Sequence, residues 1–256
     1  MTSKLGFIGA GHLASYTIAG LRRAGDQRDI ILSPRNADKA QQLSSQYDCR
    51  VAASNQAVVD AADIVILAVR PPQALVVLSE LTLRPEQCLI SVVAGISVSQ
   101  LRSAMLGGAE VCRSLIVSSA AYNKGAVSLY PANYLAQQLL GCLGEIVTLE
   151  LEKDFDLSLA AMCANGWMYK LVESLEQPML AAGMPPSAAR KLVVQSIVGT
   201  MAHIENSPAM DLSEISAGIA TDGTYTKLGL DILEQQQAFD PWQDAIQSLL
   251  MAQNND

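Results

Sequence analysis

A glycine-rich segment near the start of the chain has the residue types and spacing of a phosphate-binding loop. It reads Gly9-Ala10-Gly11-His12-Leu13-Ala14. An apolar run precedes it and a helical pattern follows it, which is the strand–turn–helix context in which this motif binds a dinucleotide. Gly9 permits a tight turn, Gly11 lets the backbone approach a pyrophosphate, and Ala14 lets the helix pack closely on the strand. Because a helix N-terminus offers free N–H groups and a partial positive charge, the segment predicts a site for dinucleotide phosphates.

The turn after the second predicted strand indicates which nicotinamide dinucleotide binds. It reads Ser33-Pro34-Arg35-Asn36. An NAD-binding domain usually places Asp or Glu here to bond the ribose 2′-hydroxyl. This turn has no carboxylate, whereas Ser33, Arg35 and Asn36 can all donate hydrogen bonds to a 2′-phosphate. The pattern favours NADPH as the cofactor, and the alternative is that Arg35 is only a solvated turn residue.

The first 150 residues alternate short apolar runs with amphipathic stretches, an order typical of βαβ crossovers and a parallel sheet. The predicted strands are Leu5–Ile8, Ile30–Leu32, Ile64–Val69, Leu89–Val93, Val111–Leu115 and Ala126–Leu129. The predicted helices are Leu13–Ala24, Ala37–Gln46, Gln73–Leu81 and Val98–Leu106. Pro131 is expected in the first turn of a further helix, where its missing N–H costs nothing. We therefore expect an α/β Rossmann-type dinucleotide-binding domain over residues 1–150.

From about residue 151 onward the pattern is helical throughout. The predicted helices are Phe155–Ala182, Pro185–Asn206, Leu212–Gly218, Thr226–Gln236 and Pro241–Met251. Gly183 and the pair Pro185–Pro186 are typical of one helix ending and the next beginning. We expect an all-α domain over residues 151–256, rigidly joined to the first because no flexible linker separates them.

Composition and charge argue against several classes of partner. Half of the 256 residues are apolar and 16% are charged, so the chain must bury a sizeable core. A net charge of −8 without a basic run argues against a nucleic-acid partner. The sequence shows neither a signal-peptide pattern nor the roughly 18 uninterrupted apolar residues of a membrane span. Five scattered cysteines without a Cys-x-x-Cys pair predict buried free thiols rather than a metal site. We expect a cytoplasmic protein.

Three segments of the first domain together resemble the pyrroline-5-carboxylate reductase family. The first covers residues 6–14, with His12-Leu13 where that family usually has Asn-Met. The second is Asn55 followed by residues 62–71, in which Arg70 replaces the usual Lys. The third covers residues 91–96, on the strand expected beside the nicotinamide. The likeness extends over essentially the whole chain, since the family also has an all-helical second domain.

The resemblance implies an NADPH-dependent reductase that transfers a hydride to the C=N carbon of a cyclic imine and makes proline from pyrroline-5-carboxylate. It also implies a homodimer or higher homo-oligomer formed through the helical domain, with the active site between the two domains. A protonated imine is already electrophilic, so positioning the nicotinamide and anchoring the substrate carboxylate would supply most of the acceleration. The cofactor-binding residues expected are Gly9, Gly11, His12, Leu13, Ser33, Arg35, Asn36, Asn55, Ala68, Val69, Arg70, Ala94 and Gly95.

On the substrate side, the resemblance assigns roles to five residues of the second domain. Thr221 and Thr226 keep hydroxyls where the family has Ser and Thr, and Thr226 is expected to bond the imine nitrogen. The amides of Thr224 and Tyr225 are expected to bind the substrate carboxylate at the start of a helix. Tyr169 is retained from another family motif.

Three substrate-side segments depart from the family pattern. Ile116-Val117 stand where the family has Pro-Asn, three residues after the retained Arg113. Trp167-Met168 replace Pro-Ala, and Asp222 replaces Pro beside the expected carboxylate site. Like charges about 4 Å apart repel by about 4 kcal/mol at an effective dielectric constant near 20, enough to abolish ordinary substrate binding. Asp222 either faces this site or points away and caps the following helix.

Two functions from different classes fit these observations. The first is an active NADPH-dependent reductase of pyrroline-5-carboxylate or a related imine. The second is a diverged paralogue that binds the dinucleotide and acts as a regulatory or interaction protein. An intact cofactor half beside altered substrate motifs fits both, so the sequence leaves the choice open.

Overall fold

The computed structural model describes residues 3–253, which form two compact units that divide between Met162 and Cys163. The first unit contains every strand within that described range. The second unit is helical. This arrangement confirms the predicted Rossmann-type domain followed by an all-α domain. The predicted boundary at residue 150 lies just before one long helix, Glu152–Ala181, that runs through the division.

The first unit is built on a parallel-dominated sheet. The strands in chain order are β1 Leu5–Ile8, β2 Ile30–Leu32, β3 Arg50–Val51, β4 Ile64–Leu67, β5 Thr82–Leu83, β6 Cys88–Ser91, β7 Leu106–Gly107, β8 Glu110–Leu115, β9 Ala126–Tyr130 and β10 Glu145–Thr148. Eight of them form one sheet in the order β10-β9-β8-β6-β4-β1-β2-β3, and β5 pairs with β7 separately. Neighbours in the large sheet are parallel except β8 and β9.

Helices cover both faces of this sheet. Those of the first unit are α1 His12–Arg23, α2 Ala37–Tyr47, α3 Asn55–Ala61, α4 Pro71–Ser79, α5 Val98–Ala104, α6 Tyr134–Leu140 and the start of α7 Glu152–Ala181. The central strands are apolar on both faces because each face carries its own hydrophobic core. Leu5 and Phe7 of β1 belong to one core, whereas Ile8 belongs to the other. The core therefore fixes the strands from both sides.

The second unit contains the rest of α7 and four further helices. They are α8 Pro186–Glu205, α9 Leu212–Ile219, α10 Tyr225–Gln235 and α11 Asp240–Gln253. Pro186 is the first residue of α8, as the Pro-Pro pair predicts. None of the helices within residues 3–253 is long and apolar enough to cross a membrane.

Two local predictions are wrong. Pro131 is not in the first turn of a helix, because α6 begins at Tyr134, where the Asn133 side chain accepts a hydrogen bond from the Ala136 amide at 3.0 Å. Strand β9 is antiparallel to β8, whereas the sequence pattern predicted a parallel neighbour. The connection between these strands holds only a 3-10 turn over Ser118–Tyr122, which is too short for a crossover helix.

Helix α1 packs closely against the 3-10 turn Ser118–Tyr122 at Gly20, and a substitution there tests this packing. A Cβ atom added there would lie 2.1 Å from the Ala120 carbonyl oxygen. Helix propensity alone favours Ala over Gly by about 1 kcal/mol. We expect Gly20→Ala nevertheless to lower the free energy of unfolding by about 1–3 kcal/mol, as overpacking does. In helix α9, a Cβ on Gly218 would meet no atom within 4 Å, so Gly218→Ala is the matched control. Denaturant unfolding of both variants measures the difference, and equal stabilities would contradict the packing argument.

Candidate functional site

The predicted cofactor residues of the first unit lie along one edge of the sheet. Strands β1, β2, β4 and β6 run parallel, so the loops that follow them leave the sheet at its carboxyl edge. These loops carry residues 9–11, 33–36, 68–70 and 94–95. The order of the sheet turns back beside β1, where β4 lies on one side and β2 on the other. Ligands of open α/β sheets bind at such a point.

The glycine loop has the backbone geometry that a phosphate requires. Gly9 has a φ of +106°, and a Cβ on it would lie 2.5 Å from the Ala68 carbonyl oxygen. A Cβ on Gly11 would meet nothing within 4 Å, so the backbone there is open to a ligand. Helix α1 begins at His12, and no side chain caps its N-terminus. The first amides of this helix therefore remain available to an anion.

Ser33 connects the glycine loop to the turn after β2. Its hydroxyl accepts a hydrogen bond from the Gly9 amide at 2.9 Å, and only 1% of the residue is exposed. The Asn36 side-chain oxygen caps helix α2 by accepting from the Lys39 amide at 3.4 Å. Arg35 and Asn36 are exposed. Arg35 and the Asn36 amide group are thus the accessible donors of this turn, and the link from Ser33 to Gly9 was missed by sequence reasoning.

The remaining cofactor-side residues surround the same edge. Asn55 is the first residue of α3, and Arg70 is the exposed N-cap residue of α4, which Pro71 begins. Gly95 is exposed in the turn after β6 with a φ of +76°. His12 is exposed at the start of α1, whereas Leu13 packs against the core. Their contacts with a cofactor stay predictions.

A buried cation fixes the start of helix α7 to the sheet. The Arg113 side chain is 2% exposed and donates to Glu152 Oε1 and to Asp156 Oδ1, each at 2.8 Å. Its guanidinium carbon lies 4.5 Å from the centre of the Phe155 ring. The Ser158 hydroxyl lies 2.9 Å from the Ser128 hydroxyl on β9. The sequence alone shows only that Arg113 is retained from a family motif. Its partners could not be predicted, because they lie about 40 residues further along the chain.

In the second unit, the loop before helix α10 corrects two expectations for the substrate residues. The Thr224 hydroxyl caps α10 by accepting from the Lys227 amide at 3.1 Å. The hypothesis that Asp222 caps this helix is therefore wrong. The Thr224 amide donates to the Thr221 carbonyl at 3.1 Å, so it is not free to bind a carboxylate. Within residues 3–253, the amides of Tyr225 and Thr226 have no acceptor.

The charges around this loop partly oppose each other. Asp222 is exposed, and Lys227 lies in the first turn of α10. A hydrogen bond with Asp231 raises the pKa of Lys227, and the negative charges of Asp231, Glu234 and Asp222 contribute to the same shift. Lys227 therefore stays protonated at neutral pH, is paired with Asp231 and attracts Asp222 more weakly.

Tyr225 and Thr226 also line an apolar cleft of the second unit. The cleft has a volume of about 700 Å³ and lies among helices α8, α9 and α10. Its other lining residues are Gly199, Thr200, His203, Ile204, Leu212, Ile215, Ser216, Ile219, Ala220, Gly229, Leu230 and Leu233. Tyr169 is exposed on α7, where Trp167 packs edge-on against Trp242 with ring centres 6.1 Å apart. The bulky Trp167 is thus held by a second aromatic ring.

Comparison with known proteins agrees with both units. Residues 4–95 match the family described as NADP oxidoreductase coenzyme F420-dependent. Residues 152–254 match the family described as pyrroline-5-carboxylate reductase dimerisation. The structure of 1-pyrroline-5-carboxylate reductase from Streptococcus pyogenes superposes with a TM-score of 0.86 at 24% identity and covers 99% of both chains. The structure of Plasmodium falciparum pyrroline carboxylate reductase with NADP bound also superposes with a TM-score of 0.86. It is 20% identical and covers 98% of this chain and 97% of its own.

Sequence similarity establishes the family. Pyrroline-5-carboxylate reductase 1 of Bacillus spizizenii is 30% identical over 210 residues, which cover 77% of this chain and 70% of the relative. The Pasteurella multocida pyrroline-5-carboxylate reductase is 27% identical over 256 residues, covering 94% of this chain and 93% of its own. The expected resemblance is confirmed, and this chain belongs to the pyrroline-5-carboxylate reductase family.

Proposed function

We propose that this protein is an NADPH-dependent reductase that converts pyrroline-5-carboxylate to proline. One observation carries the proposal beyond family membership. The N-terminus of helix α10 presents the exposed hydroxyl of Thr226 together with two amides that have no acceptor among residues 3–253. A hydroxyl and free amides are what a cyclic imine with a carboxylate requires, because one can bond the nitrogen and the others the anion.

The residues at the carboxyl edge fit NADPH. The uncapped N-terminus of α1 and the open backbone at Gly11 suit the pyrophosphate. The exposed guanidinium of Arg35 suits the 2′-phosphate, and no carboxylate of the 33–36 turn opposes it. Ala94 and Gly95 would adjoin the nicotinamide ring. When bound, the cofactor supplies a hydride.

The protein's own part in the reaction is positioning. The imine carbon gains a hydride and the nitrogen becomes an amine, so the nitrogen must be held in its protonated, electrophilic state. We assign the Thr226 hydroxyl to the nitrogen, and the amides of Tyr225 and Thr226 to the substrate carboxylate. The Thr221 carbonyl fixes the turn of this loop by accepting hydrogen bonds from the Thr224 amide at 3.1 Å and from the Thr224 hydroxyl at 2.7 Å. Tyr169 is proposed as a further substrate contact.

A second function is favoured by one observation. Asp222 is an exposed carboxylate in the loop that leads into the two free amides, where a negative charge would oppose a substrate anion. A protein that binds NADPH through the first unit without reducing pyrroline-5-carboxylate would have a regulatory role, or a different imine as its substrate. Tight NADPH binding without NADPH oxidation on pyrroline-5-carboxylate or a panel of cyclic imines identifies the regulatory case.

We also propose that the protein is a homodimer formed through its helical domain. The cleft among α8, α9 and α10 is lined mainly by apolar residues, and neither Lys, Arg, Asp nor Glu is among them. Large apolar side chains of this unit stand exposed around it, including Met201 at 50%, Leu212 at 59% and Ile219 at 57%. Exposed apolar surface on this scale is typical of obligate interfaces. A cytoplasmic location is supported by the five free cysteines.

Selectivity for NADPH tests the cofactor assignment. We expect NADPH to bind more tightly than NADH and Arg35→Ala to remove most of the difference, about 1.5–3 kcal/mol for a charge-assisted contact. Arg102→Ala is the control, because Arg102 is an exposed residue of helix α5 outside the predicted cofactor residues. Titration of each protein with both nucleotides measures the effect. Equal dissociation constants in the unaltered protein would contradict the assignment.

Asp222 tests the substrate assignment. Asp222→Asn removes the charge and keeps the size, so we expect the KM for pyrroline-5-carboxylate to fall by about tenfold or more, given a repulsion of up to about 4 kcal/mol. Because Thr224 caps the helix, thermal stability should change little. Asp244→Asn, an exposed change on helix α11, is the control. Adding Thr226→Val to Asp222→Asn should reduce kcat. An unchanged KM in a folded Asp222→Asn variant would defeat the proposal that this charge opposes the substrate.

The oligomeric state tests the interface. Leu212→Glu places a charge among the apolar residues of the cleft, so we expect it to weaken self-association strongly. Sedimentation at micromolar concentration should give twice the chain mass for the unaltered protein and the chain mass for the variant. Tyr134→Glu, at an exposed residue of the first unit, is the control and should remain dimeric. A stable monomer of the unaltered protein would refute the dimer.

A further inference from the structure

The turn that follows strand β6 is held at its far end by a residue from a distant element. The amide of Val98, the first residue of helix α5, donates to Glu152 Oε1 at 2.7 Å. Glu152 is the first residue of helix α7, more than 50 residues along the chain. The neighbouring Ser97 amide is bonded within α5 itself, to Gln100 Oε1 at 2.8 Å. The bond to Glu152 is thus a side-chain hydrogen bond that ties the end of this turn to another element, beside the core packing of Ile96 and Val98.

The Glu152 carboxylate is itself held in place. The same Oε1 atom accepts from the buried Arg113 guanidinium on β8 at 2.8 Å. Arg113 is fixed in turn by Asp156 and by the face of the Phe155 ring. Because the guanidinium is planar and 2% exposed, its two partners have little freedom to move. The position of the Val98 amide is therefore set by the sheet through two charge-assisted hydrogen bonds in series.

We propose that Glu152 is a positioning residue for the nicotinamide end of the cofactor site. The residues between β6 and α5 include Ala94 and Gly95, and the inference rests on the proposed function for these two as neighbours of the nicotinamide. Gly95 is exposed with a positive φ, so that residue has no packing of its own, whereas Val93 and Ile96 of the same turn are buried in the core. The placement of Gly95 depends on these buried neighbours and on the anchors at the ends of the turn, which are strand β6 and the Val98 amide.

A positioning role for Glu152 should affect only one end of the bound cofactor, whereas a general contribution to stability should not distinguish the two ends. The adenine end of the dinucleotide is assigned to the turn after β2, and three strands separate β2 from β8, the strand whose Arg113 holds Glu152. Loss of the anchor should weaken contacts with the nicotinamide and leave contacts with the 2′-phosphate unchanged. A purely structural Glu152 would affect both ends equally or neither.

Val98→Pro is the sharpest test. Proline is well accepted as the first residue of a helix, and the extended backbone of Ser97 (ψ 159°) suits a following proline. The substitution removes the N–H group that donates a hydrogen bond to Glu152. It keeps the ion pair between Glu152 and Arg113. We expect the Kd for NADPH to rise by about tenfold, the lower end of what one hydrogen bond to a charged group contributes. The Kd for 2′,5′-ADP, which carries only the adenine end, should stay within about twofold. The fluorescence of bound NADPH should shift as its ring becomes more exposed to water.

Side-chain variants keep the test valid if Val98→Pro does not fold. Glu152→Ala removes both hydrogen bonds and should reproduce the selective loss of NADPH affinity. Glu152→Gln keeps an oxygen acceptor for the Val98 amide. This variant should therefore retain most of the NADPH affinity of the unaltered protein. Asp156→Asn is the matched control, because Asp156 pairs with Arg113 but not with the Val98 amide. It should leave both dissociation constants unchanged.

The outcomes separate this inference from the proposed function. If the unaltered protein does not bind NADPH, the proposed function fails and the inference fails with it. If the unaltered protein binds NADPH and Val98→Pro or Glu152→Ala weakens NADPH and 2′,5′-ADP equally, the positioning role is overturned while the function stands. Unchanged binding of both ligands in these variants overturns it as well.

Discussion

The direction of parallel strands is the constraint on which the cofactor site depends. Each helix that follows a strand must return the chain to the starting side of the sheet, so successive strands end at the same edge. Loops drawn from residues 9 to 95 therefore meet there. The hydrogen bond from the Gly9 amide to the buried Ser33 hydroxyl joins two of these loops. The loop proposed to bind the pyrophosphate and the turn proposed to select the nucleotide are thus joined by one buried contact.

Arg113 imposes the second constraint. A guanidinium that is 2% exposed needs partners for its charge, because removing one partner of a buried pair costs about 3–5 kcal/mol. Both terminal nitrogens of Arg113 have a carboxylate partner, whereas the buried Nε has none among residues 3–253. Glu152 and Asp156 are one helical turn apart on α7, so the two N–H groups bind both ends of that turn. The Phe155 ring covers the face of the same cation. The first turn of α7 can therefore dock on β8 in only one way.

Sequence patterns predict the parts of this structure that depend on local order. The glycine loop, the predominantly parallel sheet and the helical second domain all follow from spacing and hydrophobic periodicity. The bond between Ser33 and Gly9, the partners of Arg113 and the direction of β9 could not be predicted, because each depends on which distant residue the fold brings close. The prediction that Pro131 lies in the first turn of a helix was wrong for a related reason. The Asn133 side chain caps α6 and so decides where that helix begins.

In the loop before helix α10, the side chains of Thr224, Asp222 and Lys227 together decide what the loop offers to an anion. The Thr224 hydroxyl satisfies the Lys227 amide, so the loop binds one of its own donors instead of leaving it to a ligand. The amides of Tyr225 and Thr226 remain available to an anion among the described residues. With fewer donors, the net charge beside them weighs more in the binding free energy. Asp222 and Lys227 supply that charge with opposite signs. The proposed affinity of this family member for a carboxylated imine therefore depends on the charge of Asp222 and on how much of the Lys227 charge its pairing with Asp231 leaves.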